Sequence, residues 1–231
     1  MNRLTHISIE EWCDIVDRQC TFKPKIIMEI GSMDGADASK LAKYYNANDV
    51  FIIEAHNAFA ERIKEDYPGY SVFNLAASKV NQQALFKAVG VFSENKGMSS
   101  LLDRDEDAYP SYGVEYYNEV MVDAVRMDYF CEQVGISEID LLKIDVEGAT
   151  YDVLEGFGDL LWFVKSVHLE AEHEQVWKGQ KLYADVERFM LDKGFIPAMI
   201  KIGFPQSDSV WIKKEFYNHN WMADESIDSN E

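Results

Sequence analysis

Residues Lys25 to Tyr45 read KIIMEIGSMDGADASKLAKYY. The first six residues are apolar on both faces and rich in β-formers, as in a parallel strand covered on both sides. A glycine–aspartate loop follows, and DASKLAKYYN then takes up a helical period. Strand, glycine loop and helix form the opening unit of a doubly wound α/β sheet. Ligands of such sheets sit beyond the carboxyl ends of the strands, where IGSMDG falls. Gly31 and Gly35 permit a tight turn or a close backbone approach. A dinucleotide site would use G-x-G-x-x-G and a helix N-terminus free for pyrophosphate. Here the spacing is G-x-x-x-G, with Asp34 inside the loop and Glu29 just before it. Those carboxylates repel a pyrophosphate and suit a ligand with positive charge. S-adenosylmethionine, with an ammonium, a sulfonium and no phosphate, fits. A carboxylate near the end of a buried strand is costly unless paired, and an ammonium would pair it.

Reading outward, DVFIIEA is the next strand. Its terminal Glu54 lies about twenty residues past the loop, where an acidic group takes ribose hydroxyls. NAFAERIKEDY is a helix with Asn57 as its expected N-cap. GYSVFNLA is a third strand. Upstream, Ser8 and Glu11 in SIEEWCDIVDR have capping-box spacing. The expected organisation is an N-terminal helical segment (1–24), a main α/β domain (25–215) and an acidic tail (216–231).

Residues 80–125 read as an insertion over the carboxyl edge of the sheet. QALFKAVG, GMSSLL and NEVMVDAVRM are strand-like, and a polar loop bearing Tyr109, Tyr112, Tyr116 and Tyr117 separates them. That loop reads either as a sugar-stacking lid or as ordinary surface. MDYFCEQVG and TYDVLEGFGDLL are helices, with the buried strand IDLLKIDVEG between them. VKSVHLEAEHE is a further strand, and LYADVERFMLDKG is a helix closed by Gly194. FIPAMIKIG and SDSVWIKK form an antiparallel pair. The expected fold is a mostly parallel sheet of about seven strands, with an antiparallel last strand and helices on both faces.

Charge also gathers at two later strand tips. Lys143, Asp145 and Glu147 alternate at the end of one, and His168, Glu170, Glu172 and His173 at the end of the next. Alternation keeps such residues on one side while the chain stays extended. Two clusters facing one cleft suit removal of a proton from a hydroxyl acceptor. The catalytic candidates are Asp145, Glu170, His173 and Lys143. Asp145 and Glu170 are also candidate ligands for a hard divalent cation such as magnesium.

The formal charge of −19, with no Lys/Arg cluster, disfavours direct nucleic-acid binding. An apolar fraction of 47% supports a sizeable core. Cys13, Cys20 and Cys131 have no CxxC or metal spacing and read as reduced thiols of a cytoplasmic protein. No apolar run reaches the ~20 residues of a membrane helix.

EIGSMDGADAS, FIIEAHN, NLAAS, GMSSLL, IDLLKIDVEGATYDVLEGF and VHLEAEHE, in that order, resemble the FkbM methyltransferase family. The resemblance implies a class I Rossmann-like methyltransferase that uses S-adenosylmethionine and forms O-methyl ethers on sugars or natural-product hydroxyls. The implied cofactor residues are Glu29, Gly31, Asp34, Gly35, Glu54, Ala55, Asn74, Ala76, Ser99 and Ser100. The chain departs from the family at Ala55-His56, where Glu54 is often followed by proline, and at Thr150-Tyr151. The implied partner is a small-molecule or glycan hydroxyl acceptor, and a second copy of the chain in a homo-oligomer is admissible. Two other readings stand beside this one: a methyltransferase of RNA or protein, and a catalytically silent nucleoside-binding module.

Overall fold

The computed structural model describes residues 6–107 and 117–220. Tyr109, Tyr112, Tyr116 and tail residues 221–231 lie outside them. The chain opens with α1 (Ile9–Gln19), and the capping box forms: Glu11 N donates to Ser8 Oγ at 3.1 Å and Ser8 N to Glu11 Oε2 at 2.8 Å. Alternation follows as β1 (Ile26–Ile30), α2 (Ala36–Tyr45), β2 (Asp49–Ile53), α3 (Asn57–Asp66) and β3 (Ser71–Phe73). Then come β4 (Ala76–Ser78), β5 (Gln82–Val89), β6 (Tyr117–Arg126), α4 (Met127–Val134), β7 (Ile139–Ile144) and α5 (Thr150–Gly156). The described chain finishes with β8 (Val164–Glu172), α6 (Tyr183–Asp192), β9 (Phe195–Lys201) and β10 (Gln206–Lys213).

Seven strands form one sheet in the order β3-β2-β1-β7-β8-β10-β9. β10 is antiparallel to both neighbours, and the β3-β2-β1-β7-β8 pairings are parallel. The strand order reverses between β1 and β7, so the crevice expected of such a sheet opens there. One apolar cluster packs α1, α2 and α3 on one face through Trp12, Leu41 and Ile63. Another packs α4, α5 and α6 on the other through Phe130, Leu154 and Met190. Among the described residues no helix is long and apolar enough to cross a membrane.

Local details differ from the sequence reading. The third strand is split, because the chain turns at Asn74, whose Nδ2 donates to Glu54 O at 2.9 Å and Ala55 O at 3.0 Å. Its second half, β4, leaves the main sheet and joins β6 and β5 in a three-stranded sheet. GMSSLL makes a single bridge, Ser100 to Lys87, rather than a strand. α3 is preceded by His56 in extended conformation with no side-chain cap, so Asn57 is already helical. The helix expected over TYDVLEGFGDLL breaks at Phe157 into α5 and a 3-10 turn, Gly158–Phe163. Gly156 explains part of that region's closeness: a Cβ there would lie 2.0 Å from Ser78 O.

The residues before α1 are pinned to β10. Ile7 N donates to Asp208 Oδ2 at 2.7 Å, and His6 Nδ1 lies 2.7 Å from the same oxygen. Burial opposes ionisation of Asp208, but hydrogen bonds from His168 and His6 outweigh it and hold the carboxyl well below its usual value. A depressed carboxyl contributes stability above its unfolded pKa of about 3.9 and loses that contribution as pH falls towards its folded value. Asp208→Asn is therefore expected to destabilise the fold by about 1.5–3 kcal/mol at pH 7. The gap to the parent should narrow below about pH 4. Urea unfolding at pH 7 and pH 3 checks this, and an equal gap at both would refute it.

Candidate functional site

At the switch point three strand ends meet backbone to backbone. Gly31, at φ +79°, leaves no room for a side chain: a Cβ would sit 1.8 Å from Asp145 O. Gly31 N donates to Ile53 O at 2.9 Å, and Asp145 N to Ile30 O at 3.0 Å. The loop then folds onto α2. Gly35 N donates to Ser32 Oγ at 2.9 Å, and Ala36 N to Asp34 Oδ1 at 3.0 Å. Gly35, at φ +73°, abuts Tyr67, whose ring would lie 2.8 Å from an added Cβ.

Beyond these ends lies an open cleft. Gly31 and Asp145 form one side, Glu54 and Ala55 another, and Phe59, Leu75, Ala76, Ala77 and Phe86 an apolar end. A strap from Lys96 to Leu101, including Ser99 and Ser100, closes over it. Glu54 is only 6% exposed. Its carboxylate accepts from Met33 N at 2.9 Å and His56 N at 2.6 Å, tying together the loops after β1 and β2. Burial pushes its pKa up. A carboxylate has about four lone-pair sites, so acceptor capacity remains for a ligand.

Glu29 is buried beneath α2 rather than on the cleft wall. Its Oε2 accepts from Ala38 N at 2.9 Å, and Lys143 Nζ lies 3.9 Å from Oε1. Burial raises its pKa to about 7, against the pull of Lys143. Lys143 also reaches Asp145 Oδ2 at 3.1 Å and Asp37 Oδ2 at 3.6 Å. Burial disfavours its charge, but Asp145, Glu29 and Asp37 outweigh that and hold the ammonium above the ordinary lysine value. At neutral pH it is therefore a fixed cation, not a proton acceptor. The ammonium that pairs Glu29 is the protein's own.

β7 ends at Ile144, and Glu147 follows in a left-handed conformation at φ +42°. That turn carries Glu147 out of simple alternation and towards β8. One carboxylate oxygen each from Asp145, Glu147 and Glu170 lie within 4.8 Å of one another. Burial, then repulsion from Asp145 and neighbouring acids, pushes Glu147 and Glu170 well above their ordinary values. Ser100 Oγ donates to Glu147 O at 2.6 Å, and Thr150 Oγ1 to Glu170 O at 2.7 Å. The cluster is thus fixed through its backbone. His173 is turned towards the β9–β10 hairpin: its Nε2 lies 2.6 Å from Ser207 Oγ, and its N–H donates to Pro205 O.

Of the sequence-selected residues, Gly31, Glu54, Ala55, Ala76, Ser99, Ser100 and Asp145 line the cleft. Glu29, Asp34, Gly35, Asn74 and Lys143 brace the loops around it through the contacts above. Glu147, read in the sequence only as alternating with Lys143 and Asp145, joins Asp145 and Glu170, and Lys96 was not selected. The grouping of Glu147 with Glu170 depends on a backbone reversal, signalled in the sequence by Gly148 in VEG. Lys96 was the one cation beside the serine pair in NKGMSS.

The sequence profile of the methyltransferase FkbM domain matches residues 29–197. The 2-O-methyltransferase NoeI of Sinorhizobium fredii (strain NBRC 101917 / NGR234) is 25% identical over 161 residues, 67% of this chain and 66% of NoeI. The methyltransferase sdnD of Sordaria araneosa is 39% identical over 62 residues, 26% of this chain and 22% of its own length. The chain thus spans just under two thirds of NoeI and less of sdnD. In fold it is similar to M. capricolum TrmK in complex with S-adenosyl-homocysteine (TM-score 0.50, 7% identity, 95% of this chain and 71% of that one). It is also similar to the Methanococcus jannaschii fibrillarin pre-rRNA processing protein (TM-score 0.51, 10% identity, 83% of this chain and 67% of that one). The strand order and these likenesses show the class I methyltransferase fold. With the profile spanning most of the sheet, the chain belongs to the FkbM methyltransferase domain family.

Proposed function

We propose that this domain is an S-adenosylmethionine-dependent O-methyltransferase acting on a hydroxyl of a sugar, glycan or small natural product. One observation carries the reading: Asp145 belongs both to the wall of the cleft and to the acidic cluster. It therefore stands where a donor site and an acceptor site would meet.

The cleft's chemistry fits the donor. Glu54 accepts from ribose hydroxyls, the bare backbone at Gly31 permits close approach, and Phe59, Leu75 and Phe86 offer an apolar wall to adenine. S-adenosylmethionine, when bound, supplies a methyl group already activated on a sulfonium. The protein's work is to align an acceptor, exclude water and take a proton. Alignment of this kind is worth up to about 7–11 kcal/mol. Asp145 takes the hydroxyl proton, and Lys143 fixes its carboxylate in place. Glu147 and Glu170, raised by burial, hold a proton between them or, with Asp145, bind a hard cation. Magnesium would lower the pKa of an acceptor hydroxyl there. Membership in the FkbM family and the 2-O-methyltransferase name of NoeI support a hydroxyl acceptor. The charge of −19 fits an uncharged acceptor better than nucleic acid.

Calorimetry with S-adenosylhomocysteine should show binding, and Glu54→Ala should weaken it by about tenfold to a hundredfold, as expected for lost hydrogen bonds to a charged group. Unchanged affinity would remove the ribose assignment. Release of S-adenosylhomocysteine with a panel of sugars identifies the acceptor class. Asp145→Asn should lower that turnover by about 10²–10⁴-fold with donor binding largely intact; full activity would refute its role. Running the panel with chelator, then with magnesium restored, decides between a cation and a bare carboxylate cluster.

A further inference from the structure

The cleft that would hold the donor is acidic, yet S-adenosylmethionine carries a carboxylate of its own. A carboxylate entering beside Glu54 and Asp145 meets repulsion, and desolvating it without a partner is costly. Helix N-termini are the usual anion holders in this fold class. Here that end is already occupied. Ala36 N donates to Asp34 and Ala38 N to Glu29, so carboxylates of the loop and of β1 already cap α2 where a ligand's would go.

Among the described residues lining the cleft, Lys96 is the single cation. It makes no ion pair with any described residue, whereas Lys143 is surrounded by three carboxylates and Lys87 pairs with Asp103 at 3.0 Å. Its position is built by the strap. Lys87 N donates to Ser100 O at 2.8 Å, and Val89 N to Ser99 Oγ at 3.0 Å. Ser100 Oγ reaches across to Glu147 O. Successive turns, Ser93 N to Gly90 O, Lys96 N to Ser93 O and Met98 N to Asn95 O, bend the strap back over the loop after β1. An added Cβ at Gly97 would meet only Met33 Sδ, at 3.8 Å, which places the strap directly over that loop.

We infer that Lys96 is the contact for the α-carboxylate of the donor's amino-acid arm. The cleft then matches the donor's charges in order: Glu54 for the ribose, Asp145 near the cationic centre, Lys96 for the anion. This rests on the S-adenosylmethionine reading above.

Three probes separate the charges. S-adenosylhomocysteine carries ammonium and carboxylate, decarboxylated S-adenosylhomocysteine keeps the ammonium only, and 5′-methylthioadenosine has neither. Lys96→Ala should weaken S-adenosylhomocysteine roughly tenfold, as for one charge-assisted hydrogen bond. It should leave the other two ligands unchanged, and Lys96→Arg should restore most of the loss. Equal loss for all three ligands would overturn the assignment. So would no loss for any, or an effect confined to the KM of the acceptor. If the parent protein binds none of them, the donor reading fails first. If it binds all three but Lys96→Ala does not discriminate, only the Lys96 assignment falls.

Discussion

The ammonium of Lys143, 5% exposed in the middle of the sheet, is the constraint on which the site is built. Glu29 is its register partner on β1, His168 on β8. Asp37 comes from α2 and Asp145 from the end of its own strand. Burying charges is costly, and removing one partner of such a group is worse, at about 3–5 kcal/mol. The cation therefore locks the first strand, the helix that follows it and the tip of β7 into one arrangement. Burial opposes ionisation of Asp37, but Lys143 and Lys40 together outweigh it and keep the carboxyl below its ordinary value.

That arrangement divides the acidic residues by task. Glu29 and Asp34 satisfy backbone donors at the start of α2. Glu54 satisfies two more and still faces the cleft. Asp145 is held at one oxygen by Lys143 and lies between the cleft and the Glu147–Glu170 pair. Carboxylates that look equivalent along the chain thus differ in what is left of their hydrogen-bonding capacity. Those with remaining capacity at the cleft are the ones suited to chemistry.

The periodicities in the chain were enough for the main sheet, because strand and helix patterns there are set by burial on two faces. They located β1, β2, β7 and β8 and the antiparallel end, and the glycine loop located the crevice. Burial alone does not say which neighbour a short segment chooses. Ala76 to Ser78 is as apolar in a separate sheet as it would be in the main one, so the departure of β4 was hidden. Asn57 resembles a cap, but His56 takes the preceding position and turns its Nε2 towards Val89 O instead. The sequence suggested that Glu29 would meet a ligand's ammonium; the partner was Lys143, distant in sequence and therefore visible only once the strands paired. Glu147 required a positive φ, which a pattern of polar and apolar residues does not encode.

Asp208 joins residues separated by 201 positions, since Ile7 donates to it. Trp12 likewise donates to Ser166 Oγ, which in turn donates to Trp211 O. During synthesis the helix around Trp12 emerges early, but its docking surface is incomplete until the antiparallel hairpin has been made. Long-range closure of this kind is slow relative to local structure. The part of that first helix's apolar face that meets β8 and β10 therefore stays uncovered until those strands have been made, although α2 can pack on the rest of it early.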